Sequence, residues 1–257
     1  MKHSMIAMAT LATLTASSAM AGPIPADGQW RGNLGGSLSM TSGNSKSTNL
    51  AIGTDAVSAD AMGKTTLYLN ALRASAETTT AGVTNNNTTA NVIRGGGRYE
   101  YNLSPQMYGF GSLDLERDPI QFLKLRSVLG AGVGYHVLNT ADTLFDVFGG
   151  VGYNMERFDL SAPADKHNSA ELILGEESVH KLSDSSSFKQ RLALYPNLKD
   201  SGEYRAVFDA GFTTAIAGGL NLNVGLSDRY NSQPPGTKKN DLLFTTGVSM
   251  KFGAPVK

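Results

Sequence analysis

The chain has 257 residues, 29 glycines, no cysteine and a formal net charge of zero. Balanced charge with no basic run or aromatic-basic stacking motif argues against nucleic-acid binding, and the lack of cysteine excludes a disulfide-stapled scaffold. No run of about 18 apolar residues exists, so no membrane-spanning helix is predicted and a membrane position would require a closed barrel.

The N-terminus reads MKHSMIAMATLATLTASSAMA. Lys2 supplies a short positive region, Met5 to Leu14 is apolar, and Ala19-Met20-Ala21 has the small-x-small pattern of a cleavage site. Residues 1–21 are therefore expected to be a secretory signal peptide cleaved after Ala21; the competing reading is a buried N-terminal helix. A short periplasmic segment, 22–28, a barrel over 29–252 and a tail, 253–257, complete the expected organisation.

Beyond residue 21 helical periodicity gives way to short segments of alternating hydrophobicity. WRGNLGGSLSM sets Trp30, Leu34, Leu38 and Met40 on one face, and TNLAIGTDAVSA alternates around Leu50 and Ile52. TTLYLNALRA fits two registers. NVIRGGGRYEY opposes Ile93, Tyr99 and Tyr101 to Arg94, Arg98 and Glu100. MYGFGSLDLE puts Asp114 and Glu116 on the side of Phe110, which suggests a bulge. SVLGAGVGYHV sets Leu129, Val133 and Tyr135 against glycines and His136, and LFDVFGGVGYNMER sets Phe145, Val147, Val151 and Tyr153 against Asp146, Asn154 and Glu156. AELILGEESVHKL and FKQRLALY follow. YRAVFDAGF, LNLNVGLSDRY and LLFTTGVSMKF close a series of about twelve strands.

The connections alternate as well. NLSPQ, LNTADT, SDSSS and IAGG are tight, whereas AETTTAGVTNNNTT, DLSAPADKHNS, PNLKDSGE and NSQPPGTKKN are long and polar. Short turns on one rim and long loops on the other are the habit of outer-membrane barrels, and an even strand number puts both termini at the short-turn rim. Trp30, Tyr99, Tyr101, Tyr108, Tyr135, Phe145, Phe188, Phe212 and Phe252 fall at that rim; Tyr153, Tyr204, Tyr230 and Phe244 fall at the other, as two interfacial girdles would. Alternation does not say which face is dry. Export, a polar face rich in Gly, Ser, Asn and Thr with charges of both signs, and the lack of a covering helix favour an apolar face turned to lipid. A soluble periplasmic barrel is the alternative. The fold expected is an all-β, transmembrane, up-and-down antiparallel barrel of about 12 strands.

Three blocks, LRSVLGAGVGYHVLNTADTLFDVFGGVGYNMERF, GEESVHKLSDSSSFKQRLALYPNLKDSGEYRAVFDAG and DRYNSQPPGTKKNDLLFTTGVSMKF, resemble the salt-induced outer membrane protein family, an outer-membrane β-barrel domain of unknown function. The resemblance extends over residues 28–252 and is strongest after Leu125. It implies an outer-membrane barrel and no established chemistry. Outer-membrane barrels usually end on an aromatic residue; Phe252 holds that place here, followed by GAPVK.

Candidate chemistry is sparse. His167 and Ser169 superficially suggest a hydrolase pair with nothing to orient the base. Glu176, Ser178 and His180 share a face by i, i+2 spacing, which suits a lumen hydrogen-bond network better than an acid–base pair. Asp146, Glu156, Glu176, Glu177 and Asp209 lack metal-ligand spacing, and GAGVGYH lies within a strand, so it is no phosphate loop. Its glycines instead make room for bulky lumen side chains. The functional candidates are the charges expected to line the lumen: Arg94, Arg98, Glu100, Arg126, Glu156, Lys189, Arg191, Arg205, Asp209 and Arg229. In a channel they would tune ion selectivity; paired with one another they would fill the bore. The expectation is a non-enzymatic protein of a Gram-negative outer membrane without cofactor. It is either a narrow channel for small polar solutes or ions or a structural envelope protein, linked by the family label to salt stress. An outer-membrane hydrolase or lipid-modifying enzyme is the alternative. Expected partners are outer-membrane lipid and, during insertion, the barrel-assembly machinery.

Overall fold

The computed structural model describes residues 24–41, 46–80, 83–159, 166–233 and 239–255. The expected signal peptide lies outside the described residues. Twelve strands follow in order: β1 (Arg31–Thr41), β2 (Lys46–Ala59), β3 (Gly63–Thr80), β4 (Val83–Asn102), β5 (Met107–Asp118), β6 (Leu123–Asn139), β7 (Thr143–Phe158), β8 (Lys166–Lys181), β9 (Ser186–Pro196), β10 (Tyr204–Ala215), β11 (Leu220–Asn231) and β12 (Asn240–Gly253). Each pairs antiparallel with its sequence neighbours, and β12 pairs with β1 from Arg31↔Gly253 to Gly36↔Val248. Closure satisfies every sheet edge, which a sheet in a dry medium requires.

One rim is made of tight turns capped by their own side chains. Asp60 accepts from the backbone of Met62 and Gly63 at 2.8 and 2.9 Å. Ser104 accepts from Met107 at 3.0 Å, and Thr140 from Thr143 at 3.0 Å. Such local acceptors supply what the turning backbone loses from the ladder. The last turn, Ala217–Gly219, bends through positive φ at Gly218 and Gly219, a conformation that favours glycine. Both ends of the described chain return to this rim. Gly28 donates to the Ala59 carbonyl at 2.7 Å and Ala254 to that of Trp30 at 3.0 Å.

The alternation resolves into an apolar outside and a polar inside. Val248, Val151, Leu69 and Phe244 are among many large apolar side chains left exposed, while Asn33, Asp55, Asn70, Asn154, Glu171 and Asn221 are buried. Trp30, Tyr99, Tyr101, Tyr135 and Phe252 stand outward near the short-turn rim. Tyr204 and Tyr230 stack 5.4 Å apart at the other.

Four expectations are corrected. The stretch 76–89, read as a loop, is mostly ladder: β3 and β4 continue pairing from Ala76↔Asn87 to Thr80↔Val83, past one register shift at Ala74/Ser75. β5 holds regular pairing with β4 from Tyr108 to Arg117, so no bulge separates Phe110 from Asp114. Tyr108 and Phe110 are buried on the inward face with those acids, so Tyr108 does not belong to a girdle. Finally, Glu176, Ser178 and His180 lie on the outward face of β8, because Glu171, Ile173 and Glu177 occupy the inward one.

Candidate functional site

Register turns the inward charges into a belt. Arg94, Glu116, Arg126 and Glu156 stand opposite one another across β4, β5, β6 and β7. Opposite charges in directly paired positions attract, and here they meet in order. Arg94 contacts Glu116 at 2.6 Å; Arg126 bridges Glu116 at 3.0 Å and Glu156 at 2.7 Å. Asn154, almost fully buried, donates to Glu156 at 3.1 Å and lies 3.5 Å from Glu171, which Arg205 holds at 2.6 Å. Six strands thus contribute to one chain of charge-assisted hydrogen bonds.

The remaining candidates form smaller sets. Glu100 is shared by Arg98 at 2.9 Å and Lys64 at 2.7 Å. Glu177 lies 3.7 Å from both Lys189 and Arg191. Asp209 accepts from Ser227 at 2.7 Å and from Arg229 at 3.1 Å. All ten charges named from the sequence are therefore inward and each has an opposite-charge contact. Of their partners, alternation names Glu116 and Glu177 without placing them in the lumen set, and it names neither Lys64 and Glu171 nor the Tyr68–Asp114 hydrogen bond of 2.5 Å. Glu116 shares a face with Phe110, and in the sequence that ring among acids suggests a bulge that the regular β4–β5 pairing lacks.

An aromatic cluster fills the wall beside these charges. Tyr108, Phe110, Phe148, Ile173 and Ala193 pack together, with Tyr195 against them. Phe110 and Phe148 meet edge to face at 6.0 Å. The Arg98 guanidinium carbon sits 4.1 Å from the Phe110 ring centre and 5.0 Å from that of Phe148, a cation–π arrangement. Glycines make this packing fit, as the GAGVGYH reading anticipated. A Cβ at Gly132 would lie 2.8 Å from the Phe110 ring, one at Gly175 would lie 2.5 Å from Phe148, and one at Gly134 would enter the Tyr108 ring. Gly96 likewise leaves the gap through which Tyr68 reaches Asp114.

Toward the long-loop rim the bore opens into a vestibule of about 660 Å³ lined by Arg126, Asn154, Glu156, Glu171, Glu203 and Arg205, among others. His167 lies 3.7 Å from Glu203 at its edge. Ser169 Oγ donates to Glu171 at 3.4 Å, so His167 and Ser169 do not pair as base and nucleophile. No cluster of three or more metal-ligating side chains occurs among the described residues. His136 contacts Asp146 at 2.7 Å and packs on Tyr108 at 5.0 Å, within the fill of the bore.

A closed twelve-stranded antiparallel barrel, apolar outside and lined by paired charges, is an outer-membrane-type β-barrel. Residues 33–252 match the family described as "Protein of unknown function, DUF481", and the chain belongs to that family. Among solved structures it is similar to the NanC porin, with 11% identity over 86% of this chain and 97% of that one and a TM-score of 0.44. It is also similar to the beta domain of the Bordetella autotransporter BrkA, with 15% identity over 90% and 100% and a TM-score of 0.41. The CymD monoaromatic hydrocarbon channel aligns at 9% identity over 87% and 88%, with a TM-score of 0.35. No curated protein matches.

Proposed function

We propose that the chain is a non-enzymatic barrel of a Gram-negative outer membrane that acts as a narrow channel for small polar solutes or ions. The observation that carries this reading is the inward belt Arg94–Glu116–Arg126–Glu156, opening on the vestibule that Arg205 and Glu171 also line. Rings of fixed charge select ions by sign and strength. Because each charge of this belt is compensated, the belt repels neither sign strongly and favours small, hydrated or zwitterionic species. Lipid on the outer face and the barrel-assembly machinery during insertion are the partners this location brings.

Planar-bilayer recording tests the reading. The reconstituted wild-type protein is expected to give small discrete conductance steps with weak selectivity. Arg126→Glu places a third carboxylate between Glu116 and Glu156; the belt opens, and conductance and cation selectivity rise severalfold. If both proteins stay silent in every salt, the channel reading fails. The packing of Arg98 among Tyr108, Phe110 and Phe148 favours a second reading, a filled structural barrel, and silence would leave that one standing.

A further inference from the structure

Inside the barrel, register sets cations against anions; along one part of the outer wall it does the reverse. Arg117, Lys124, Arg157 and Lys166 are exposed and stand within one residue of the long-loop ends of β5, β6, β7 and β8. Arg157 is paired directly with Lys166 on one side and with Leu125 on the other. Arg117 faces the Lys124–Leu125 step, where the β5–β6 ladder shifts register. Arg73 extends the row: it pairs with Asn91, one outward position along β4 from the Ile93 that Arg117 opposes. None of these five side chains makes an ion pair or hydrogen bond with another described residue. The inward cations differ: Arg94 and Arg126, one alternation away on β4 and β6, meet carboxylates at 2.6 to 3.0 Å.

Like charges in directly opposed ladder positions repel, and the repulsion grows where apolar surroundings replace water. An anion between them removes the conflict, and the wall below the row says what kind of molecule carries it. The same outward faces continue toward mid-strand as Leu113 and Leu115 on β5, Leu129 on β6 and Tyr153 and Val151 on β7, all exposed. A line of cations therefore edges a broad apolar band at the strand ends. A free anion would use the line and leave the band bare. An anionic amphiphile uses both. Its phosphate accepts from the cations, with Arg157 able to donate through two parallel N–H groups, while its acyl chains lie along the band. Long basic side chains suit this border, since their methylenes cover apolar surface and their heads reach the polar layer.

We infer that this row binds the phosphate of an anionic lipid in the leaflet on the long-loop side, centred on Arg157 and Lys166. In a Gram-negative outer membrane that chemistry is the phosphorylated lipid A of lipopolysaccharide. The inference rests on the outer-membrane placement proposed above and is independent of whether the bore conducts.

The test titrates the purified barrel in neutral detergent with lipid A, followed by native mass spectrometry. The wild type is expected to retain lipid A, and the double variant Arg157→Gln/Lys166→Gln to bind it about tenfold or more weakly. Lys181→Gln, at the opposite rim, is expected to bind as the wild type does. Lipid A stripped of phosphate is expected to bind the wild type no better than the phosphorylated form binds the double variant. Urea titration without lipid A gives a second readout. Lys166→Gln removes a like-charge opposition, so it is expected to unfold at the same urea concentration as the wild type or a higher one. Heat-modifiable migration shows that each variant is folded. Equal lipid A binding by wild type and double variant, or equal binding of the dephosphorylated lipid, overturns the lipid site. So does displacement of lipid A by inorganic phosphate beyond that by chloride at equal ionic strength, which would mark a site for a free anion. Earlier unfolding of Lys166→Gln would show that the chain itself neutralises the row, and overturns it too. Recovery of the wild-type chain in the soluble fraction overturns the membrane placement itself, and the lipid site with it.

Discussion

At the scale of single residues the interior is decided by what glycine leaves open. Gly132 lies against Gly150 of β7, so a Cβ there would stand 2.7 Å from the Gly150 Cα as well as 2.8 Å from the Phe110 ring. Backbone cannot yield as a flexible side-chain end can, so Gly132→Val is expected to destabilise the barrel by about 1–3 kcal/mol, as overpacking of a filled interior does. Gly149 faces outward, where a Cβ finds ordinary contact with Leu174 at 3.7 Å; Gly149→Ala is expected to be near neutral. Urea titration of the heat-modifiable band measures both. Comparable loss from the two substitutions would mean that side-chain room inside the bore is not what these glycines provide.

At the scale of elements, rim contacts and strand parity matter most. Arg31 binds the Asp27 carboxylate and reaches the Pro255 carbonyl at 3.3 Å, tying both terminal segments to the short-turn rim. That guanidinium holds the Asp27 carboxyl below the usual carboxylate range. A depressed acid stabilises the folded state above its unfolded value, near 4, and the benefit disappears only as pH falls through the lower folded value. The Asp27–Arg31 contact is therefore expected to survive intact from pH 8 to pH 5. Asp27→Asn should loosen the 24–30 segment equally at both pH values, read as faster proteolysis of that segment; protection in the wild type that fades between pH 8 and pH 5 would contradict the assignment. Orientation is tested by the connections. An epitope inserted between Asp200 and Ser201, in an exposed long-loop connection, is expected to bind antibody on intact cells. One inserted between Ser183 and Asp184 at the short-turn rim is expected to bind only after the envelope is opened. The reverse pattern would invert the barrel.

For the whole molecule, the outer surface is the discriminating feature. Val151 lies midway along β7 with 57% of its surface exposed. In a bilayer, Val151→Arg would cost about 2–4 kcal/mol, against about 0–1 kcal/mol for a comparable change at an interface position such as Tyr101→Arg. Folding titrations into lipid vesicles measure the difference. Equal effects at the two depths would argue that this surface faces water.

Period two alone made much of this protein legible. Strand number, the tight and long rims, and the inward face of Arg94, Arg126, Arg205 and Asp209 follow from alternation, because successive side chains must point to opposite sides of a strand. β8 shows where that signal stops. Leu172, Leu174, Glu176, Ser178 and His180 share one face while Glu171, Ile173, Gly175, Glu177 and Val179 share the other, and both are half polar. Only pairing with β7 and β9 decides that Glu177 meets Lys189 and Arg191 inside while Glu176 meets Gln190 outside. Likewise Phe110 obscured Glu116, since a large ring beside an acid looks like a break in pattern until neighbouring glycines reveal the space that admits it. Local sequence determined strands, turns and parity, which are properties of a few consecutive residues. Tertiary structure decided which charges meet and which polar groups face outward, because closure sets the register between strands and no single strand contains that information.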